Sequence, residues 1–183
     1  MGLFNKIKNV FLKDKEAAKY EEGLTKTRKE FSTELAKLSK KYKNIDDDYP
    51  PTPREVLKLY SDITVCFYSE DYTDEELTQL ALQIEKLYDE ELIANNTPDQ
   101  YQKNLRWDIK TMKDKNLRVT SYSVASATDV DYFDAGGRSW ARLSCTYTIR
   151  SGKEAGLARE IFLLRKDDMG HWKIYGWEAA KER

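Results

Sequence analysis

The sequence predicts an α+β fold: N-terminal amphipathic helices, then a cone in which three helices pack on a curved four-stranded antiparallel meander. Three observations predict it. From Leu117 to Glu178, apolar and aromatic residues alternate with polar ones along four stretches parted by short Gly- and Asp-containing turns. From Pro53 to Lys115, apolar residues recur at helical spacing behind Thr and Pro start signals. Ahead of both stands Pro50-Pro51-Thr52-Pro53, a stiff extended joint, because each proline fixes its own φ and restrains the residue before it. The chain therefore divides into a basic helical arm (1–48), a joint (49–53) and an α+β domain (54–180).

The first strand is expected at Leu117–Val130, with Val119, Ser121, Ser123 and Ala125 on one face and Thr120, Tyr122 and Val124 on the other. Asp134-Ala135-Gly136-Gly137 turns the chain, its glycines free to take positive φ. Trp140–Arg150 is the second strand and Leu157–Lys166 the third, with Ile161 and Leu163 opposite Phe162 and Leu164. Asp167-Asp168-Met169-Gly170 makes the last turn, and Trp172–Trp177 is the fourth strand, with Trp172 and Ile174 opposite Tyr175 and Trp177.

The helices of the body follow from their caps. Thr52 is an N-cap, Pro53 takes the first helical position and Glu55 the third; Val56, Leu59, Tyr60, Ile63 and Phe67 form the buried stripe. Thr73 with Glu76 is a second capping box, leading Leu77, Leu80, Ala81, Ile84, Leu87 and Tyr88. Thr97-Pro98 opens a third helix with Tyr101, Leu105, Ile109 and Met112 inside.

The 183 residues carry a net charge of −1, which argues against nucleic acid as a partner of the whole chain. The charge is uneven. Met1 to Lys43 holds twelve Lys/Arg against six Asp/Glu, or +6, leaving −7 for the remainder. Cys66 and Cys145 sit in apolar surroundings and are expected as buried free thiols. No apolar run approaches the roughly 20 residues of a membrane span. No secretory h-region follows the N-terminus, and Lys6 stands where a myristoylation signal needs Ser or Thr, so a cytoplasmic protein is expected.

Leu3, Phe4, Ile7, Val10 and Phe11 fall at helical spacing beside Lys6, Lys8, Lys13 and Lys15. Such a helix lies in a bilayer interface with its lysines on anionic headgroups, or docks its stripe on the protein's own core. Leu24, Phe31, Leu35 and Leu38 mark a second helical stripe.

Two resemblances bear on function. Met1-Gly-Leu-Phe-Asn-Lys-Ile-Lys, Gly23-Leu-Thr-Lys-Thr-Arg-Lys-Glu-Phe31 and Lys43-Asn-Ile-Asp-Asp-Asp-Tyr49 resemble the N-terminal start of the bacterial signal-recognition-particle receptor GTPase. The likeness stops at Tyr49, and no Gly-x-x-x-x-Gly-Lys-Ser/Thr loop occurs, so GTP hydrolysis is not implied. What carries over is association with an anionic membrane surface through Leu3, Phe4, Lys6, Ile7, Lys8, Val10 and Phe11. From Pro53 onward, the order of helices and strands resembles the NTF2-like superfamily, most strongly in Gly170-His-Trp-Lys-Ile-Tyr-Gly-Trp177. The wording looks closest to uncharacterised domains from Gram-positive gut bacteria. That superfamily includes isomerases, dehydratases, adaptors and domains that only bind or dimerise, so the resemblance implies a fold and not a reaction.

No metal site or cofactor is expected, because no Cys or His pair has ligand spacing. The single histidine, His171, follows a turn glycine and is expected at the surface, outside catalysis. Asp129, Asp131 and Glu160 are expected as solvated charges at strand ends or on the outer face. Aromatic residues supply the pocket candidates: Tyr60, Tyr122, Trp140 and Tyr147, then Phe162, Trp172, Tyr175 and Trp177. The expected function is a non-catalytic binding or interaction domain held at the inner membrane surface, taking a small apolar ligand or pairing as a homodimer through its sheet face. An isomerase or dehydratase using the cone cavity is the alternative, and its mark is a carboxylate or histidine buried beside aromatic walls. A further alternative is an accessory factor of signal-recognition-particle-dependent targeting.

Overall fold

A computed structural model of the chain describes Ile45 and residues 48–180. The membrane-arm residues Leu3, Phe4, Lys6, Ile7, Lys8, Val10 and Phe11, and the second stripe through Leu38, lie outside the described residues. The fold is α+β, with four helices and a five-stranded antiparallel sheet among the described residues.

Helix α1 (Pro53–Ser69) starts where its cap dictates: the Thr52 hydroxyl accepts from the Glu55 N–H at 3.2 Å, and Pro53, having no N–H, needs no acceptor. It is buried on nearly every side, because it lies between the sheet and the helices that follow. Helix α2 (Asp74–Glu85) has the full capping box: Glu76 N–H donates to the Thr73 hydroxyl, and Thr73 N–H donates to the Glu76 carboxylate at 2.8 Å. Helix α3 (Glu90–Asn95) is one the sequence did not predict; it is capped by the Asp89 side chain, which accepts from Glu91 N–H. Helix α4 (Pro98–Asp114) buries Leu105, Asp108, Ile109 and Met112.

The sheet corrects the expected first strand. It is two strands, β1 (Leu117–Val124) and β2 (Asp131–Ala135), parted by a 3-10 turn over Ala127–Asp129. The Ser126 hydroxyl donates to the Asp129 carboxylate, a local bond that competes with continued pairing. Both short strands pair with β3 (Arg138–Ser151), whose two halves serve one each. Strand β4 (Glu154–Lys166) pairs with β3 along its whole length, and β5 (Trp172–Ala179) pairs with β4. Gly136 and Gly137, at φ +60° and +74°, form the two-residue turn between β2 and β3, where both central residues need positive φ.

Two bulges change which side chains face the helices. One lies between Val119 and Ser121, so Val119 and then Tyr122 and Val124 face the core, across from Ile149, Tyr147 and Cys145. The other lies opposite Leu163/Leu164, so Trp177 joins Trp172 and Ile174 on the core side instead of opposing them. Strict alternation had placed both groups on opposite faces.

The core takes in residues ahead of the proline run. Ile45 is fully buried in it. The Tyr49 hydroxyl donates to the Trp172 carbonyl at 2.8 Å, and its ring stacks on His171 at 4.4 Å.

Candidate functional site

Between α1, α4 and the core face of the sheet is a cavity of about 80 Å³. That is room for roughly six waters, or a small molecule with about as many heavy atoms, at 10–15 Å³ each. Its walls follow from two helical stripes. On α1, Tyr60, Thr64, Phe67 and Tyr68 recur at intervals of four, three and one, one face of a helix. On α4, Tyr101, Asn104, Leu105 and Asp108, at intervals of three, one and three, likewise share one face. The sheet supplies Tyr147 from β3, Glu160 from β4 and Trp177 from β5; Ile84, Tyr88 and Asn96 complete the lining.

Glu160 is the main departure from expectation. It is 2 % exposed and lines the cavity, rather than standing solvated at the edge of the sheet. The reason is parity: it shares the core face of β4 with Ala158, Phe162 and Leu164. Asp108, 4 % exposed, is the second carboxylate of the cavity, and burial raises its pKa above the usual aspartate range. Asp129 and Asp131 are exposed, as expected.

The aromatic walls are continuous. Tyr88 meets Tyr101 edge-on at 5.6 Å and stacks on Trp177 at 6.1 Å, while Tyr60 lies 5.8 Å from Trp177. The rings of Tyr60, Tyr88 and Tyr101 form a chain of contacts, with Tyr60 6.2 Å from Tyr88. Burial holds the phenols of Tyr60, Tyr68, Tyr88, Tyr101 and Tyr147 far above their ordinary range, and the negative charge of Glu160 adds to this at Tyr60, Tyr68, Tyr88 and Tyr147. All five remain neutral hydroxyls in the physiological range. At one side of the cavity, Ser61 lies within hydrogen-bond distance of the Tyr147 hydroxyl, 3.0 Å, and of Cys145 Sγ, 3.4 Å.

Of the eight pocket candidates, Tyr60, Tyr147 and Trp177 line the cavity. Phe162 is buried behind it, 5.4 Å from Tyr60 and 5.8 Å from Trp177. Tyr122 donates to Asp62 on α1 at 2.6 Å. Trp172 is buried against Tyr132. Trp140 and Tyr175 lie instead on the outer side of the sheet, where both rings cover the Arg165 guanidinium, at 5.5 and 5.0 Å. Arg165 in turn holds Asp89 with two hydrogen bonds, 2.9 and 2.6 Å, and Glu91 with one, 2.7 Å.

That outer network positions the cavity. Asp89 N–H donates to the Ile174 carbonyl, and Ile174 N–H donates to the Leu87 carbonyl, so the segment carrying Tyr88 is stitched to β5. Sequence reasoning missed Glu160, Asp108 and Asn104 as lining residues. Asp108 carried a signal, since it falls among Leu105, Ile109 and Met112 on the apolar stripe of α4.

His171 stacks on Tyr49 away from the cavity, its Nδ1 3.7 Å from the Asp167 carboxylate. Cys66 and Cys145 are free and buried, and burial raises both thiols. Among the described residues, no group of three or more His, Cys, Asp or Glu is placed to hold a metal ion, and no helix is long and apolar enough to cross a membrane. No curated protein matches the chain. Over residues 8–177 the sequence matches the family described as a domain of unknown function (DUF6715), and the chain belongs to that family.

Proposed function

We propose that the chain is a small-molecule-binding domain built on an NTF2-like cone, whose ligand sits between α1, α4 and the sheet. The observation that carries this reading is the cavity of about 80 Å³, walled by aromatic rings and holding two buried carboxylates. Aliphatic groups would fill such a space at lower cost, since burying a carboxylate is unfavourable. Concave, largely apolar spaces with a few convergent polar groups are where small ligands bind.

The test is a ligand-observed NMR screen of neutral, cationic and anionic fragments of up to about six heavy atoms, sized from the cavity. Binding should be abolished by Thr64→Trp, which fills the space from a buried lining position on α1, and weakened by Asn104→Trp at the exposed rim. A screen with no fragment sensitive to Thr64→Trp sinks the reading.

One observation favours a second reading, an isomerase-type enzyme. Glu160 is a buried carboxylate beside aromatic walls, the arrangement a general base needs. Its carboxylate would take a proton from one carbon of the ligand and return it to a neighbouring carbon, with no co-reactant consumed. Solvent deuterium entering a bound fragment, and failing to enter with Glu160→Gln, supports this reading; no exchange in the wild type removes it.

The same proposal assigns the basic leader to the membrane. Its support is the sequence pattern of Leu3, Phe4, Ile7, Val10 and Phe11 beside Lys6, Lys8 and Lys13. Equal flotation of wild type and Lys6/Lys8/Lys13→Glu on anionic vesicles would discard the tether.

A further inference from the structure

We propose that the ligand of this cavity is a small organic cation, an ammonium ion carrying short alkyl groups. The inference rests on the small-molecule-binding reading above and names its ligand class. Three features of the site point the same way.

The first is charge. Among the described residues, the lining contains two carboxylates, Glu160 and Asp108, and no Lys, Arg or His. An anion entering would meet like charge, and a neutral molecule would gain nothing from the charge of either carboxylate. A cation gains the attraction of both.

The second is the wall. Tyr60, Tyr88, Tyr101 and Trp177 lie within a connected set of ring contacts of 5.6 to 6.2 Å. Aromatic faces carry negative quadrupole potential, and several such faces around one space form the arrangement that holds alkylated ammonium groups. The tyrosine hydroxyls stay neutral, so they add dipoles but no competing charge. The rings offer the alkyl groups an apolar surface while the carboxylates meet the charge.

The third is size. About 80 Å³ admits a tetraalkylammonium head or a short alkylamine and excludes an aromatic drug-sized cation. Of the lining residues, Asn104 is exposed and Asn96, Tyr101 and Trp177 are only partly buried, so the cavity is reached from their side.

The experiment is isothermal titration calorimetry on the full chain in phosphate buffer free of amines, with four probes: tetramethylammonium, propylammonium, the neutral isostere tert-butanol and the anion trimethylacetate. At least one ammonium probe should bind tenfold or more tighter than tert-butanol, and trimethylacetate should not bind. Glu160→Gln should weaken that ammonium probe at least tenfold while leaving tert-butanol within about twofold. Asp108→Asn gives an independent second variant, with near-UV circular dichroism confirming the fold of each. Equal or tighter binding of tert-butanol, or preferential binding of trimethylacetate, overturns the cation inference and leaves the small-molecule reading standing. If none of the four binds, the cation inference falls, and the fragment screen alone then decides the broader reading.

Discussion

Asp89→Ala isolates the support under the cavity. The Asp89 carboxylate is almost wholly buried and receives two guanidinium hydrogen bonds from Arg165, itself 7 % exposed; it also caps α3 through Glu91 N–H. Removing one partner of a buried pair strands the other charge, at about 3–5 kcal/mol. Arg165 keeps its bond to Glu91, and its position near the outer face keeps water close, so the lower end, about 3 kcal/mol, applies. Loss of the cap adds about 1 kcal/mol. The sum, about 4 kcal/mol, corresponds to a fall in Tm of roughly 8–16 °C for a chain of this length. Asp89→Asn keeps an oxygen for the cap and should lose only the ion-pair part. Urea denaturation at 25 °C reads all of these values. Because the same segment carries Tyr88 into the cavity, Asp89→Ala should also weaken any cavity ligand. A loss under about 1.5 kcal/mol for Asp89→Ala would refute the account of this pair as a buried, mutually dependent unit.

Three further outcomes are expected. Thr73→Ala removes the hydroxyl of the α2 capping box and should cost about 1 kcal/mol in urea denaturation, with no change in ligand binding. The Asp108 carboxyl is raised by burial, so its protonated form suits the fold: its contribution is favourable below the usual value of 3.8 and is lost as pH rises through the raised folded value. Asp108→Asn, which mimics the protonated form, should therefore gain on wild type as pH rises from about 4 to 7 in melts without ligand; a difference that stays flat or shrinks contradicts this. Cys66 and Cys145 should resist a thiol reagent such as dithionitrobenzoate in the native state and react fully in denaturant, since burial disfavours both thiolates.

Much of the architecture was legible in local chemistry. Thr52-Pro53 and Thr73-x-x-Glu76 announced two helix starts, and the glycine turns announced the hairpins, because caps and positive-φ positions act within a few residues. What was not legible depended on partners distant in sequence. The break after Val124 sits in a run rich in strand formers, and Arg54 from α1 secures it by donating to the Ala125 carbonyl at 2.9 Å. Helix α3 is too short to show a period, and its anchor, Arg165, lies more than seventy residues away. The bulges inverted the expected faces of Tyr122 and Trp177, and only Gly176 beside the second hinted at one. Glu160 was misplaced because both faces of β4 carry bulky groups, so a charge alone could not say which face was wet.

The stitch between Leu87–Asp89 and Ile174 has a consequence for association. Strand β5 ends the sheet, and a bare terminal strand offers its N–H and C=O groups to any passing chain. Here the Ile174 amide and carbonyl are both spent on the protein's own backbone, and the opposite border is occupied in part by Ser69, whose hydroxyl donates to the Val119 carbonyl. The molecule thus carries blocks against strand-by-strand polymerisation on both margins.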